Sequence, residues 1–364
     1  MIKPFKQVLS YRVQRYMTDM KRENVPGTGL TGLQNCGNTC YLNSIAQILS
    51  HTYELSDYLD EGTYEKRLNN VPESLLLIEW DKLRRLMWEK NCTVAPWGFV
   101  KAVQRVSKLK NIELFSSFAQ NDIQEFLMFM LDGFHMAVSR SVNMTISGLA
   151  KNDKDLMATE CYKMMRQMYA DDYSDMVKLL CGIQVSSISA ISDGKSLSVR
   201  PEPFFMLSLP LPSVSGPTTI EACFDEYTRK ERLEGDNAWY NDKEKKKQDV
   251  DMGVIFWSLP TVLVVCLKRW GYTGRKDNRL VDVDLSKLDL RKYVHGYNKE
   301  SYIYRLYGVC NHSGGTMGGH YTANIKVKSG QWYLFNDTNI SKVKFDGLNN
   351  TSGYCLFYRK KLNN

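Results

Sequence analysis

What this chain lacks narrows it first. No uncharged run reaches the roughly 18 residues that a membrane-spanning helix needs. The longest apolar stretch, GVIFWSLPTVLVVCL from Gly253 to Leu267, is shorter and carries Pro260 inside it, so it reads as two buried strands or a strand and a bend. The N-terminal MIKPFKQVLSYRVQRYM has neither the apolar core nor the small-residue cleavage site of a secretory signal. Its basic, acid-poor character has a faint mitochondrial flavour, but a surface helix leading into the domain is the expected reading. Without an export signal, nine cysteines, an odd number, argue for reduced thiols inside the cell, in cytoplasm or nucleus, and against a disulfide framework. The net charge of +8 is modest and sits partly in runs such as KEKKK from Lys243 to Lys247. No aromatic residues alternate with those lysines, which argues for a solvated loop and against a nucleic-acid groove.

What is present is a chain with 43% hydrophobic residues, enough for one large core or a few lobes sharing it. Helical periodicity dominates from about Thr39 to Leu180. In DIQEFLMFMLDGFHMAV the residues Ile123, Phe126, Leu127, Met130, Leu131 and Phe134 form one stripe, started by Asp122 and Glu125 in a capping-box relation. PESLLLIEWDKLRRLMW makes another helix, with Pro72 near its start. From about Val185 onward short β-branched and aromatic segments take over, among them VLVVCLKRW, YIYRLYGVC, HYTANIKV and QWYLFND. No internal repeat interrupts this change. A helical first half and a sheet-forming second half predict an α+β fold with a site at their junction.

The stretch QNCGNTCYLNS, Gln34 to Ser44, carries the chemistry. Asn38 and Thr39 are good N-cap residues, and Leu42, Ile45, Ile48 and Leu49 repeat at helical spacing, so Cys40 falls in the first turn of a helix. Free backbone N–H groups and the positive end of the macrodipole, together with an imidazolium, are expected to lower its thiol pKa. Cys36 precedes the helix and reads as a small buried hydrophobe. A base must come from five histidines: His51, His135, His295, His312 and His320. His312 and His320 bracket the glycine-rich HSGGTMGGH, and His320 opens a strand that turns through Lys328-Ser329-Gly330 into QWYLFND. A hairpin folded about Lys328 or Ser329 sets His320 beside Asn336 or its near neighbour. Asn336 then orients one imidazole nitrogen and leaves the other for the thiol. Chance coincidence of three such residues stays open on spacing alone. Zinc on Cys36, Cys40, His312 and His320 is the weaker reading, because the histidines lie farther apart than the roughly three to five residues of a zinc-finger pair.

Four ordered blocks give these residues a context: GLQNCGNTCYLNSIAQ from Gly32, AQNDIQEFLMFMLDGFH from Ala119, LPTVLVVCLKRW from Leu259 and GGHYTANIKVKSGQWYLFND from Gly318. Together they resemble the ubiquitin-specific proteases, from about residue 28 to 360. The resemblance implies a papain-like right hand: an extension over 1–28, then a catalytic domain over 29–362, with a helical thumb (about 29–180), β fingers (about 181–200 and 220–255) and a β palm (about 201–219 and 256–362). By position it implies Cys40 as nucleophile, His320 as general base and Asn336 as third member, where many relatives have Asp. Asn35 matches the oxyanion-hole amide, with Gln34 an alternative donor, and Asp337 assists in the same region. Asp122 and Glu125 match acids that receive the arginine-bearing tail of ubiquitin; capping alone is the plainer role for both. Gln120, Gly318, Gly319 and Tyr321 join them as substrate-binding positions, and the loops Gly271 to Leu280 and Asn311 to Gly319 match mobile loops flanking the cleft.

The implied activity is hydrolysis of the isopeptide bond between ubiquitin and lysine by a monomer, with ubiquitin and its conjugates as partners and no cofactor. A ubiquitin-binding pseudoenzyme and a protease for another ubiquitin-like modifier are the rivals. In the fingers, many relatives hold a structural zinc on two C-x-x-C pairs. Here Ser189 and Ser192 align with the first pair and Asn241 and Glu244 with the second. These are poor zinc ligands, so no metal is expected and strand pairing must hold the fingers. The segment from about Ser139 to Ser174 matches no block.

Overall fold

The computed structural model describes residues 28–271, 274–315, 318–344 and 351–361. The expected N-terminal helix therefore lies outside the described residues. Two compact units divide the chain: Met1–Ser139 with Cys310–Lys344, and Arg140–Val309 with Phe345–Asn364.

The first unit opens with strand β1 (Gly32–Leu33), which pairs in parallel with β2 (Thr93–Val94). Around them lie α1 (Cys40–Ser50), α2 (Tyr53–Asp60), α3 (Glu73–Glu89), α4 (Trp97–Leu109) and α5 (Ile123–Val138). Pro72 occupies the N-cap of α3, where its missing N–H has no helical partner to lose. Asp122 caps α5, its carboxylate accepting from the N–H groups of Gln124 (2.7 Å) and Glu125 (3.4 Å). The apolar stripes meet at Trp80 of α3, whose ring centroid lies 5.8 Å from Phe99 of α4 and 6.0 Å from Phe134 of α5. Gly133 brings α5 close to α3, since a Cβ there would stand 2.7 Å from Leu76 Cδ2. Helix α1 is buried all round, polar residues included.

The second unit begins with α6 (Asp153–Asp171) and α7 (Asp175–Leu180), followed by β3 (Gly182–Ala190), β4 (Ser196–Phe204), β5 (Leu207–Pro210), β6 (Thr218–Thr219) and α8 (Ile220–Tyr227). Strands β7 (Glu231–Leu233), β8 (Trp239–Asn241), β9 (Lys246–Gln248), β10 (Val250–Ser258), β11 (Val262–Lys268), β12 (Val281–Asp282) and β13 (Leu288–Asp289) follow. One sheet has the order β4-β3-β10-β7. The segment that sequence alone left without a role is largely α6. Its Ala158 and Cys161 pack with Ile183, Val185 and Trp257 of this sheet.

The long apolar stretch resolves into β10 and β11, with Pro260 in the break. Val262–Leu267 of β11 is buried throughout and paired on both sides, in parallel to β5 and antiparallel to β18 (Gly353–Lys360). A strand covered on both faces has no polar side to show, hence its unbroken apolar run.

Strand β14 (Ile303–Gly315) starts in the second unit and ends in the first. There β15 (Gly318–Lys326), β16 (Trp332–Asn336) and β17 (Asn339–Val343) follow it as an antiparallel meander. Among the described residues no helix is long and apolar enough to cross a membrane.

Candidate active site

Every candidate site residue falls within the first unit, where late strands of the chain join the early helices. Cys40 opens α1 as the spacing predicts. Thr39 holds the N-cap position without a side-chain cap bond to the helix; its hydroxyl instead accepts from the N–H of Cys36 (2.8 Å). Asn35 Oδ1 accepts from the N–H groups of Gly37 and Thr39, each at 3.1 Å. The loop turns back through Gly37 (φ 101°) and Asn38 (φ 54°), left-handed conformations that glycine and asparagine adopt at least cost.

The polar face of α1 holds this loop. Asn43 Nδ2 donates to the carbonyls of Leu33 (3.4 Å) and Gln34 (3.3 Å) and to Asp337 Oδ1 (2.7 Å), while Gln47 Nε2 donates to the carbonyl of Thr31 (2.7 Å). Sequence reasoning gave neither residue a role. The available signal was two amides one turn apart on a helix otherwise marked for the core. On the opposite side Tyr41 meets Phe126 of α5 edge-on at 5.0 Å, which fixes α1 against the start of α5.

The β15–β16 hairpin turns where expected: the N–H of Gly330 donates to the carbonyl of Val327, and Ala323 pairs with Phe335. Continued toward its open end, this register puts Asn336 diagonal to His320, within reach of long side chains. His320 Nε2 and Asn336 Oδ1 are 2.7 Å apart. With Nε2 donating to that oxygen, Nδ1 carries the lone pair. The next residue, Asp337, makes the tight turn into β17 at φ 51°, a conformation that its short polar side chain tolerates. Its Oδ2 accepts from Asn35 Nδ2 at 3.1 Å, so one carboxylate joins the Asn35 loop to α1 through Asn43. Gln34 is exposed and its side chain takes no part in this linkage.

The thiol departs from expectation. Burial pushes the Cys40 pKa up from its ordinary value; the backbone N–H of Tyr321 opposes this, and the charge of Asp337 adds to the rise. Hydrogen bonds from the N–H groups of Tyr41 and of Cys40 itself also favour the thiolate but do not reverse the direction. Desolvation and a nearby negative charge, neither visible in the sequence, set the direction. The Tyr321 contact has a second meaning. It ties the sulfur to the residue that follows His320, which brings the start of β15 to the start of α1. Cys36 is buried, with its pKa also raised by burial and by Asp337.

Asp122 is half-buried at the N-cap of α5, and Glu125 is exposed and enters no ion pair among the described residues. Gln120 Oε1 accepts from the N–H of Gly319 at 2.9 Å. A Cβ on Gly319 would collide with His312 Nε2, and one on Gly318 would stand 3.0 Å from Gln120 Oε1, so glycine at both positions allows a close approach. Tyr321 is buried against His312, with ring centroids 4.7 Å apart. Tyr272, Thr273, Thr316 and Met317, within the two loops expected to be mobile, lie outside the described residues.

Among the described residues no three His, Cys, Asp or Glu side chains gather to hold a metal. The positions aligned with zinc ligands serve other ends. Ser189 Oγ donates to the Asp251 carbonyl (3.4 Å), and buried Asn241 accepts from the N–H groups of Lys243 (3.0 Å) and Glu244 (3.3 Å) while its Nδ2 donates to Gln248 (3.1 Å). Hydroxyls, an amide and one carboxylate do not fit zinc, and an amide-closed turn fastens β8 to β9 in its place.

Residues 31–358 match the family described as Ubiquitin carboxyl-terminal hydrolase. The chain is 33% identical to Ubiquitin carboxyl-terminal hydrolase 2 of Bos taurus, the match covering 91% of this chain and 55% of that protein. It is 33% identical to Ubiquitin carboxyl-terminal hydrolase Usp2 of Drosophila melanogaster, covering 95% and 36%. It thus spans about half the length, or less, of these relatives. The SAGA DUB module of Ubp8, Sgf11, Sus1 and Sgf73 bound to monoubiquitin includes a chain of the same fold, with a TM-score of 0.72 at 22% identity over 99% of this chain and 76% of that one. The α+β architecture, the ordered sequence blocks and the family match agree: this chain belongs to the ubiquitin carboxyl-terminal hydrolase family, as a ubiquitin-specific protease.

Proposed function

We propose that this chain is a thiol deubiquitinase that hydrolyses the isopeptide bond between the C-terminal glycine of ubiquitin and a lysine amine. The observation that carries the reading is the His320–Asn336 pair across β15 and β16, with the N–H of Tyr321, next after His320, meeting the sulfur of Cys40. In this reading His320 is the general base during attack, taking the proton on Nδ1 as sulfur closes on the glycine carbonyl. Asn35, held by Asp337 through one amide hydrogen, offers the other to the developing oxyanion together with backbone N–H groups at the start of α1. The imidazolium then protonates the leaving lysine amine, the C–N bond breaks, and water attacks the thioester with His320 again as base. Cys40 returns as a thiol and ubiquitin leaves as its carboxylic acid.

Asp122 and Glu125 receive the arginine-bearing tail. Gln120, Gly318, Gly319 and Tyr321 line the path of its glycines, where no side chain needs room. Thumb, fingers and palm, at the boundaries carried by the resemblance, and action as an intracellular monomer belong to the same reading. Ubiquitin bearing a C-terminal electrophile tests it. The probe should label this chain at Cys40 and leave Cys40→Ala unmarked. A protein that binds ubiquitin but takes no label is a pseudoenzyme, and faster labelling by another ubiquitin-like modifier reassigns the substrate.

A further inference from the structure

Helix α6 and strand β4, both in the second unit, leave between them a groove of about 590 Å³. Its rim carries Lys163, Arg166 and Arg200, and its floor is Met164, Val199 and Pro201. The carboxylate at this groove, Glu160, is already taken by Lys163 at 2.7 Å. Arg166 and Arg200 are exposed and enter no ion pair among the described residues. Met164 and Val199 pack inward on the buried cluster of Ala158, Cys161 and Val185, so the floor is anchored to the core.

We infer that this groove docks an acidic peptide segment of a partner protein, with an aliphatic side chain on the floor and carboxylates on the two arginines. Guanidinium groups hold carboxylates through paired hydrogen bonds, which suits Arg166 and Arg200 to this task. The lining residues of α6 run from Glu160 to Gln167, about 10 Å of helix axis, which matches roughly three residues of extended chain. An acid–aliphatic–acid core fits that length. Strand β4 lies at the edge of its sheet, yet Pro201 and Pro203 have no N–H to give, so an added strand finds no continuous ladder and side chains must do the binding. The lining has no aromatic ring on which a base could stack, which turns the choice from RNA to peptide.

The test uses the full chain and a fluorescein-labelled peptide, Gly-Asp-Glu-Leu-Asp-Glu-Gly, followed by anisotropy. Wild-type protein should bind it, and binding should weaken as salt rises from roughly 50 to 300 mM. Arg166→Glu with Arg200→Glu should weaken binding by about tenfold or more, and replacing the peptide's leucine by glycine by about fivefold. The double variant should melt at the temperature of wild type, which certifies the fold and keeps this test separate from that of the proposed activity. No binding by wild type, undiminished binding by the double variant, or tighter binding of oligouridylate through the same arginines would each overturn the inference.

Discussion

Asp337→Asn separates two effects that one carboxylate exerts with opposite sign. Its charge helps to raise the Cys40 pKa. Neutralising it therefore lowers that pKa, and at a fixed pH below it the thiolate fraction grows. Iodoacetamide reads thiolate directly, so alkylation of Cys40 should be faster in the variant. Turnover should move the other way. Asp337 accepts from Asn35 at 3.1 Å and from Asn43 at 2.7 Å, while an asparagine keeps one acceptor oxygen and no charge. Hydrogen bonds to charged groups contribute about 1.5–3 kcal/mol against about 0.5–1.5 for neutral ones. The Asn35 amide thus loses on the order of 1.4 kcal/mol of restraint, about tenfold in rate, and Asp337→Ala approaches the roughly 10²-fold expected when an oxyanion donor is lost. The assays are the pH dependence of iodoacetamide inactivation and single-turnover hydrolysis of ubiquitin carrying a C-terminal fluorogenic amide. Slower alkylation, or turnover equal to wild type, would refute the reasoning.

Three further outcomes are expected. Asn336→Ala removes the oxygen that orients the His320 ring and should lower kcat by roughly 10²-fold, with Asn336→Asp restoring most of it; steady-state kinetics on ubiquitin–lysine isopeptide substrates decides. Gly319→Ala drives a methyl group into His312 and should cost about 1–3 kcal/mol of stability along with catalysis, as read by denaturant titration; a variant as stable and active as wild type would remove the case for a close approach there. Strong chelators should leave the melting temperature unchanged, whereas Asn241→Ala strips the turn N–H groups of Lys243 and Glu244 of their acceptor and should cost about 1–2 kcal/mol; melting in the presence of chelator compares the two.

Much of this molecule was legible because periodicity and turn chemistry agree with the final fold. The cap of α5 by Asp122, the start of α3 beside Pro72 and the division of the Gly253–Leu267 stretch at Pro260 all follow from local sequence. So does the meeting of His320 with Asn336, because a hairpin converts spacing along the chain into distance across a sheet. Two things were hidden. The linkage of Asn43, Asp337 and Asn35 joins residues from opposite ends of the chain, and nothing in the order of residues announces which amide will find which carboxylate. The direction of the thiol pKa was hidden for a related reason: a helix end is written in the local sequence, but desolvation and the charge of Asp337 arise only on packing. Helix α6 needed the coordinates too, since its mixed surface divides into a face on the sheet and a face on the groove.

A sulfur kept protonated by burial has a consequence for its survival. Peroxide attacks the anion, so Cys40 at rest should resist conversion to sulfenic acid in a cell under oxidative stress. The same enclosure that raises its pKa thereby shields it from damage.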